Sequence, residues 1–487
     1  MEKGDDNYDV VIVGAGISGI NFAYRLQERC PELSYVILEG RREIGGTWSL
    51  FTYPGIRSDS DLYTFGFPWR PWTHKTAIAK GDLIMSYMRE SAAAAGIDRH
   101  IRFRHRVDEA RFASESGTWT FDVTADGAEK KTLRSRFFMM CTGYYRYDEA
   151  LQTDIPGIDS FQGRVVHPQF WPADLDYTDK RVVIIGSGAT AVTMVPAMAD
   201  KAQHVTMLQR SPSYLLSTPS EGTFERAIRH VFPPRWQHRL IRWKWLLVGH
   251  VFVAFCLWFP RRARAYVRAA TRKELPPGMS IDPAFNPAYT PFQQRLCFCP
   301  DADFYAALRA GTASVETGTI AAVSARGIRL HSGRELPADI IATATGLALQ
   351  VGGGVRLRVD GAPTTPAGRF VWNGALLDGI PNLAFVVGYV DASWTLGADA
   401  TALLVCRLLR RMRADGARLL VPRMPPADRA VVRDRPFLRL SSTYIQRSSD
   451  LLPKHGDRAP WRPRRWYVVD LWTAWFADLG RAMQWTR

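Results

Sequence analysis

The apolar residues of this chain come first in short unbroken runs and then at helical spacing. Residues 8–13, YDVVIV, form one such run, and a Gly-x-Gly-x-x-Gly turn follows directly at Gly14, Gly16 and Gly19. The next stretch, NFAYRLQER, places its apolar positions three and four apart, as a helix with one buried face does. A second run, 34–38, closes a strand–turn–helix–strand unit. The design repeats at 181–185, where the turn Gly186-Ser187-Gly188-Ala189-Thr190-Ala191 leads through Val192 into another helix and then to a run at 204–208. Unbroken apolar runs of this length suit parallel strands buried on both faces. The pattern predicts an α/β protein with two dinucleotide-binding, Rossmann-like domains.

The ends of the second strands separate the two units. Glycines let the backbone approach a pyrophosphate, and the helix that follows offers free N–H groups and the positive end of its dipole. In the first unit, with Ser18 inside its turn, the strand ends at Glu39, 25 residues after Gly14, which suits ribose hydroxyls. In the second unit the strand ends at Gln209-Arg210, and Arg210 lies 24 residues after Gly186. An acid there would repel a 2′-phosphate, whereas an arginine pairs with one. The first unit therefore reads as an FAD site and the second as an NADPH site. The plainer alternatives are a glycine-rich turn without a ligand and a solvated surface arginine. Together the two cofactors imply hydride transfer from nicotinamide to flavin. No cysteine pair accompanies the flavin turn to receive the electrons, so oxygen is the natural acceptor.

Length and composition change this picture little. The 487 residues suffice for two or three domains with a large core. The six cysteines form no C-x-x-C pair and no metal-ligand pattern, which points to a reduced, cytoplasmic setting. The first residues show no secretion signal. Charge is more informative. The net charge is +16, yet residues 235–273 alone hold ten Lys/Arg and no acid, and residues 451–487 hold seven against three Asp. Both segments are rich in tryptophan. The apolar core of the first, residues 245–259, is short for a membrane span. In the second, Val469, Trp472, Trp475, Phe476, Leu479 and Met483 fall on one helical stripe. Basic flanks with tryptophan at amphipathic spacing suit peripheral contact with an anionic membrane. The alternative is that both helices belong to a core or to a greasy substrate mouth. No nucleic-acid module is present.

Between the two turns lies Phe161-x-Gly163-x-x-x-His167-x-x-x-Trp171-Pro172. This stretch resembles the fingerprint of the Baeyer–Villiger monooxygenases. Further segments resemble the ethionamide-activating subgroup of that family. They are GGTW at 45–48, YPGIRSDSDLYTFGF at 53–67, GSGATAVT at 186–193, QQRLC at 293–297 and ASWTL at 392–396. The similarity covers most of residues 8–460. It implies FAD and NADPH, an NADPH domain inserted in a split FAD domain, and a C4a-peroxyflavin that attacks a lipophilic ketone. By resemblance, Arg295 is the catalytic arginine and Asp59 the acid that positions it. Thr47, Trp48, Ser49 and Leu50 flank the flavin, Val107 meets its adenine end, and Arg57 and Ser58 face NADP. Phe161, Gly163, His167 and Trp171 couple the two domains, and His167 is not a general base.

The resulting domain plan is 1–148 for the first part of the FAD domain, 149–347 for the NADPH domain and 348–487 for the second part of the FAD domain with a basic aromatic tail. A helical excursion is expected at about 216–290. The segments CTG at 141–143 and ATG at 344–346 mark the crossings. Three positions depart from the relatives: Gln294 replaces a common lysine, and Asp391 and Gly397 replace the subgroup's Asn and Lys. Competing readings are S- or N-oxygenation by the same oxidant, and a non-oxygenating, membrane-associated NADPH/FAD protein.

Overall fold

In the computed structural model, which describes residues 6–487, the first apolar run becomes the strand Asn7–Val13, buried from Val10 onward. It pairs in parallel with Tyr35–Leu38 on one side and with Glu129–Met140 on the other. Among the described residues these strands belong to an 11-stranded sheet. Three of its strands, His105–Ala113, Thr118–Ala125 and Glu129–Met140, run as an antiparallel meander. The chain re-enters the sheet late, through Arg356–Val359 beside the meander and Leu383–Phe385 beside Glu129–Met140. A separate five-stranded sheet is parallel throughout. Its order is Ala313–Thr317, His204–Gln209, Arg181–Ile185, Ile340–Thr343, Arg164–Val166. Every strand of this second sheet lies between the two halves of the first.

Two crossing segments join the sheets. Residues 144–146 and 348–350 lie antiparallel: the Arg146 N–H donates to Ala348 O at 2.8 Å and the Gln350 N–H to Tyr144 O at 2.9 Å. Each crossing also touches one glycine turn. A β-carbon on Gly14 would lie 2.6 Å from Cys141 O, and one on Gly186 would lie 2.3 Å from Ala344 O. Both glycines have positive φ, so no other residue suits either turn.

The helical excursion consists of Thr223–Val231, Pro234–Trp258 and Pro260–Glu274. Residues 245–258 of the apolar core are the C-terminal part of a longer helix, and Phe259 lies just past its end. Pro234–Trp258 has 25 residues and holds an 18-residue window of mean hydropathy 1.6, long and apolar enough to cross a membrane by length and composition, yet little of that window is buried. This corrects the sequence expectation of a run too short to span. The C-terminal stripe is also corrected. The helix Tyr467–Phe476 stops before Leu479, a turn follows in which Asp478 Oδ1 accepts from the Gly480 N–H at 2.8 Å, and Met483 opens a strand paired with Leu419–Pro422. Leu479 and Met483 are buried, whereas Trp472, Trp475 and Phe476 are exposed. All six cysteines are buried free thiols. The N-terminal reading of no secretion signal rests partly on residues 1–5, which lie outside the described residues.

His455 shows what the C-terminal packing costs. Its ring stacks on Phe437 at 5.3 Å, and burial, with Arg464 and Arg439 nearby, pushes the imidazole down to about 3. The unfolded chain takes up that proton near pH 6.5, so this group's stabilising share is complete above that pH and is lost as pH falls. Stability against urea should therefore fall from pH 7 to pH 5 by up to about 1.4 kcal/mol per pH unit from this group alone. His455→Gln should remove that part of the slope; an unchanged slope would assign the acid sensitivity elsewhere.

Candidate functional site

The first turn opens onto a cavity of about 910 Å³. Gly14, Gly16, Ser18 and Glu39 line one end of it. The helix Ile17–Arg29 starts with no side-chain cap, which leaves its first N–H groups for a ligand. Gly19 is there for packing, since a β-carbon would lie 2.0 Å from Gly14 O. Glu39 is buried, and its carboxylate accepts from the Ala15 N–H at 2.7 Å and the Arg41 N–H at 2.9 Å. Burial raises its proton affinity while these two bonds oppose the rise. A buried acid at a strand end beside an uncapped, glycine-lined helix start fits the adenosine half of FAD. Thr47, Trp48 and Val107 line the same cavity. Ser49 and Leu50 do not: Ser49 Oγ donates to Gly46 O at 3.2 Å, and Leu50 packs against the core of the second sheet.

The second turn is more open. Space around Gly188 is free, the helix Ala189–Ala199 has no side-chain cap, and Ala189 and Thr190 line the cavity. This arrangement fits a dinucleotide phosphate. Ser187 Oγ donates to Ser211 O at 2.9 Å, while Ala191 and Val192 are core residues. Arg210 is exposed, with Nη2 3.4 Å from Thr443 Oγ1. Gln209 points inward instead: it is buried and donates to Ala284 O at 2.7 Å and Thr317 Oγ1 at 3.0 Å. Arg57 lines the cavity but is ion-paired with Asp303, a partner that sequence spacing did not indicate. Ser58 is buried, bonded to the Ala79 backbone.

At the centre, Arg295 Nη1 donates to Asp59 Oδ2 at 2.6 Å, although the two residues are 236 apart in sequence. Arg295 Nη2 donates to the hydroxyl of Tyr144 at 3.1 Å. Tyr144 and Asp59 push the guanidinium further above its ordinary value, against burial. Tyr144 lies on the first crossing segment and stacks on Trp394 at 5.1 Å, and Trp394 Nε1 donates to Ser18 Oγ at 2.9 Å. Sequence reading missed Tyr144; the only available signal was its place directly after CTG.

The 161–172 stretch lies at the crossings. Phe161 is a core residue, and a β-carbon on Gly163 would lie 2.3 Å from Asp339 O. His167 Nδ1 accepts from the Gln169 N–H at 3.2 Å, and Gln169 donates to Arg146 O at 2.8 Å. Burial lowers the proton affinity of His167, and its Nε2 is buried with no hydrogen-bond partner among the described residues. Trp171 packs on the core of the second sheet.

The inner face of Pro234–Trp258 walls the far end of the cavity with Trp245, Gly249, His250 and Val253. Asp391 faces the same space, and burial raises its proton affinity. Gly397 lies on the helix Trp394–Ala414, where a β-carbon would lie 2.9 Å from Gly388 Cα, so a side chain has no room here. Gln294 makes an isolated bridge to Pro291.

Comparison with known proteins agrees with this construction. Residues 67–239 match the flavin-binding monooxygenase-like family, and residues 12–75 match an NAD(P)-binding Rossmann-like domain. The FAD-containing monooxygenase EthA of Mycobacterium tuberculosis is 47% identical over 467 residues, covering 96% of this chain and 95% of EthA. The chain belongs to the flavin-binding monooxygenase-like family. Its fold is that of the Baeyer–Villiger monooxygenases of known structure. A steroid monooxygenase bound to NADP superposes with TM-score 0.77 at 21% identity, covering 99% of both chains. OTEMO with FAD and NADP superposes with TM-score 0.69 at 21% identity, covering 91% of this chain and 90% of that one. This monooxygenase is thus an FAD-containing, NADPH-dependent oxidoreductase.

Gly397→Ala in this monooxygenase should be overpacked against Gly388, costing about 1–3 kcal/mol. A thermal melt should fall by several degrees; an unchanged melting temperature would mean that the helix can move away from residues 387–388.

Proposed function

We propose that the protein inserts one oxygen atom beside the carbonyl of a lipophilic ketone to give an ester or lactone. The overall reaction consumes O2, NADPH and a proton and yields NADP⁺ and water. The observation that carries this reading is the Arg295–Asp59–Tyr144 set in the wall of a cavity that begins at the first dinucleotide turn. FAD, reduced by NADPH, supplies the activation of oxygen when bound. Arg295 provides a fixed positive charge for the negative oxygen that attacks the ketone, and for the tetrahedral adduct that follows. Arginine suits this because it stays protonated. Asp59 and Tyr144 act on the reaction by holding the guanidinium in place. Glu39 would hold the ribose of FAD, and Ser187, Thr190 and Arg210 would hold NADPH, with Arg57 leaving Asp303 to meet it. Phe161, Gly163, His167 and Trp171 would keep the two domains in register. On this reading the partners are a ketone or sulfide and molecular oxygen. The setting is cytoplasmic, with peripheral contact to an anionic membrane surface.

A second reading, oxygen transfer to sulfur in a thioether or thioamide, is favoured by Asp391. Its carboxyl faces the cavity, and burial raises its proton affinity. A proton delivered to the oxidant makes it an electrophile, which suits sulfur and not carbonyl carbon.

Two experiments test these readings. Arg295→Ala should lower ketone turnover by roughly 10²–10³-fold, while NADPH still reduces the flavin and hydrogen peroxide is released. Ester formation at wild-type rate would remove Arg295 from the chemistry. Asp391→Asn should raise the ratio of ketone to sulfide products, and so should raising the pH through the elevated Asp391 pKa in the wild type, because the ionised carboxyl has no proton to give. A product ratio that ignores both changes would sink the second reading.

A further inference from the structure

The helix Pro234–Trp258 is apolar on two opposite faces. One face, with Trp245, Gly249 and Val253, walls the cavity. The other presents Trp243, Leu247 and Val251 to the outside, each more than half exposed, and Trp258 continues it. The exposed surface then runs on through Trp466, whose ring lies 3.7 Å from His250 and 6.4 Å from Trp258. It ends on the helix Tyr467–Phe476, with Val468, Trp472, Trp475 and Phe476 exposed. At the two ends of Pro234–Trp258 stand Arg235 and Arg239, and Arg261 and Arg262, all exposed and without an ion-pair partner among the described residues. An apolar surface of this extent with a cationic rim needs an occupant.

We propose that this surface lies in the interface of an anionic bilayer and that substrate enters the cavity from the lipid, passing along the Pro234–Trp258 helix near Trp466. Charge selects this occupant. Residues 235–273 hold ten cations and no acid, so a two-fold pairing of two copies would set like charge against like. A helix that crosses the membrane is ruled out by its attachments. Arg242 donates to Tyr63 O at 2.6 Å, Lys244 pairs with Glu225 at 2.7 Å, and the inner face remains a cavity wall. The helix therefore lies flat, with the tryptophans at headgroup depth and the arginines against lipid phosphates. Trp466 and Tyr467 line the cavity and adjoin the exposed surface, so the path from lipid to cavity is short. The docking half deepens the peripheral membrane contact proposed above, and the delivery half rests in addition on the proposed oxygenation of a lipophilic substrate.

The test uses the FAD-loaded full chain with phosphatidylcholine vesicles, with and without phosphatidylglycerol. Co-sedimentation should be strong only with the anionic vesicles and should weaken as salt is raised. The triple variant Trp243→Ser, Leu247→Ser, Val251→Ser should lose about tenfold or more of that binding. It should keep its flavin and its wild-type rate of NADPH-driven flavin reduction. If oxygenation is confirmed, the variant should turn over a short water-soluble substrate normally, and a long-chain ketone held in vesicles slowly. Wild-type protein that ignores anionic vesicles would overturn the docking. A dimer dissolved by the same triple substitution would assign the surface to a second copy. Strong vesicle binding with equal turnover of the embedded ketone by both proteins would overturn delivery alone.

Discussion

Two lengths of backbone hold this enzyme together as a two-cofactor machine. Residues 144–146 and 348–350 are hydrogen-bonded to each other, and they are the strips of chain by which one sheet reaches the other. Just upstream of each, a carbonyl occupies the space that a side chain would need at a nucleotide turn. The turns and the crossings are therefore fixed against one another: neither turn can move without moving the strip that carries the other domain. The 161–172 stretch binds to the same place, where Gln169 donates to Arg146 O. Its conspicuous residue types follow from that location. The glycine is needed because Asp339 O fills the neighbouring space, and the histidine ring accepts from the Gln169 N–H to cap the short turn that follows it.

The cavity brings together groups from four separate stretches of chain. Asp59 follows the flavin turn, Tyr144 lies on a crossing, Arg295 follows the helical excursion, and Asp391 precedes the last long helix. Preorganisation here is mutual. The guanidinium is held by a carboxylate and a phenol, and the phenol is held by the indole of Trp394. A charge fixed from several sides needs little rearrangement when negative charge develops beside it.

Much of this was legible in the sequence because its signals are local. Strand, glycine turn, helix and terminal acid occupy one short segment, and the physical demand of each is met within it. Arg295 and Asp59 were legible only through resemblance, since nothing local joins residues 236 apart. Tyr144 against Arg295 and Asp303 against Arg57 were invisible because they depend on how one domain faces the other. Gln209 illustrates the opposite limit: its position at a strand end suggested a ligand contact, but the side chain turns inward to Ala284 and Thr317. The C-terminal stripe failed for a simpler reason. Helical periodicity runs on past Phe476 in the sequence, but Asp478 and Gly480 make a turn and Met483 finds a strand partner.

The two-faced helix also constrains how this chain can change over time. Each residue added to an α-helix rotates everything beyond it by about 100°. A single insertion near Arg242 would swing Trp245, Gly249 and Val253 out of the cavity wall and bring differently shaped neighbours in. Only changes near seven residues, about two full turns, restore both faces together. Substitutions can therefore tune either face freely, whereas the length of Pro234–Trp258 can change only in whole repeats.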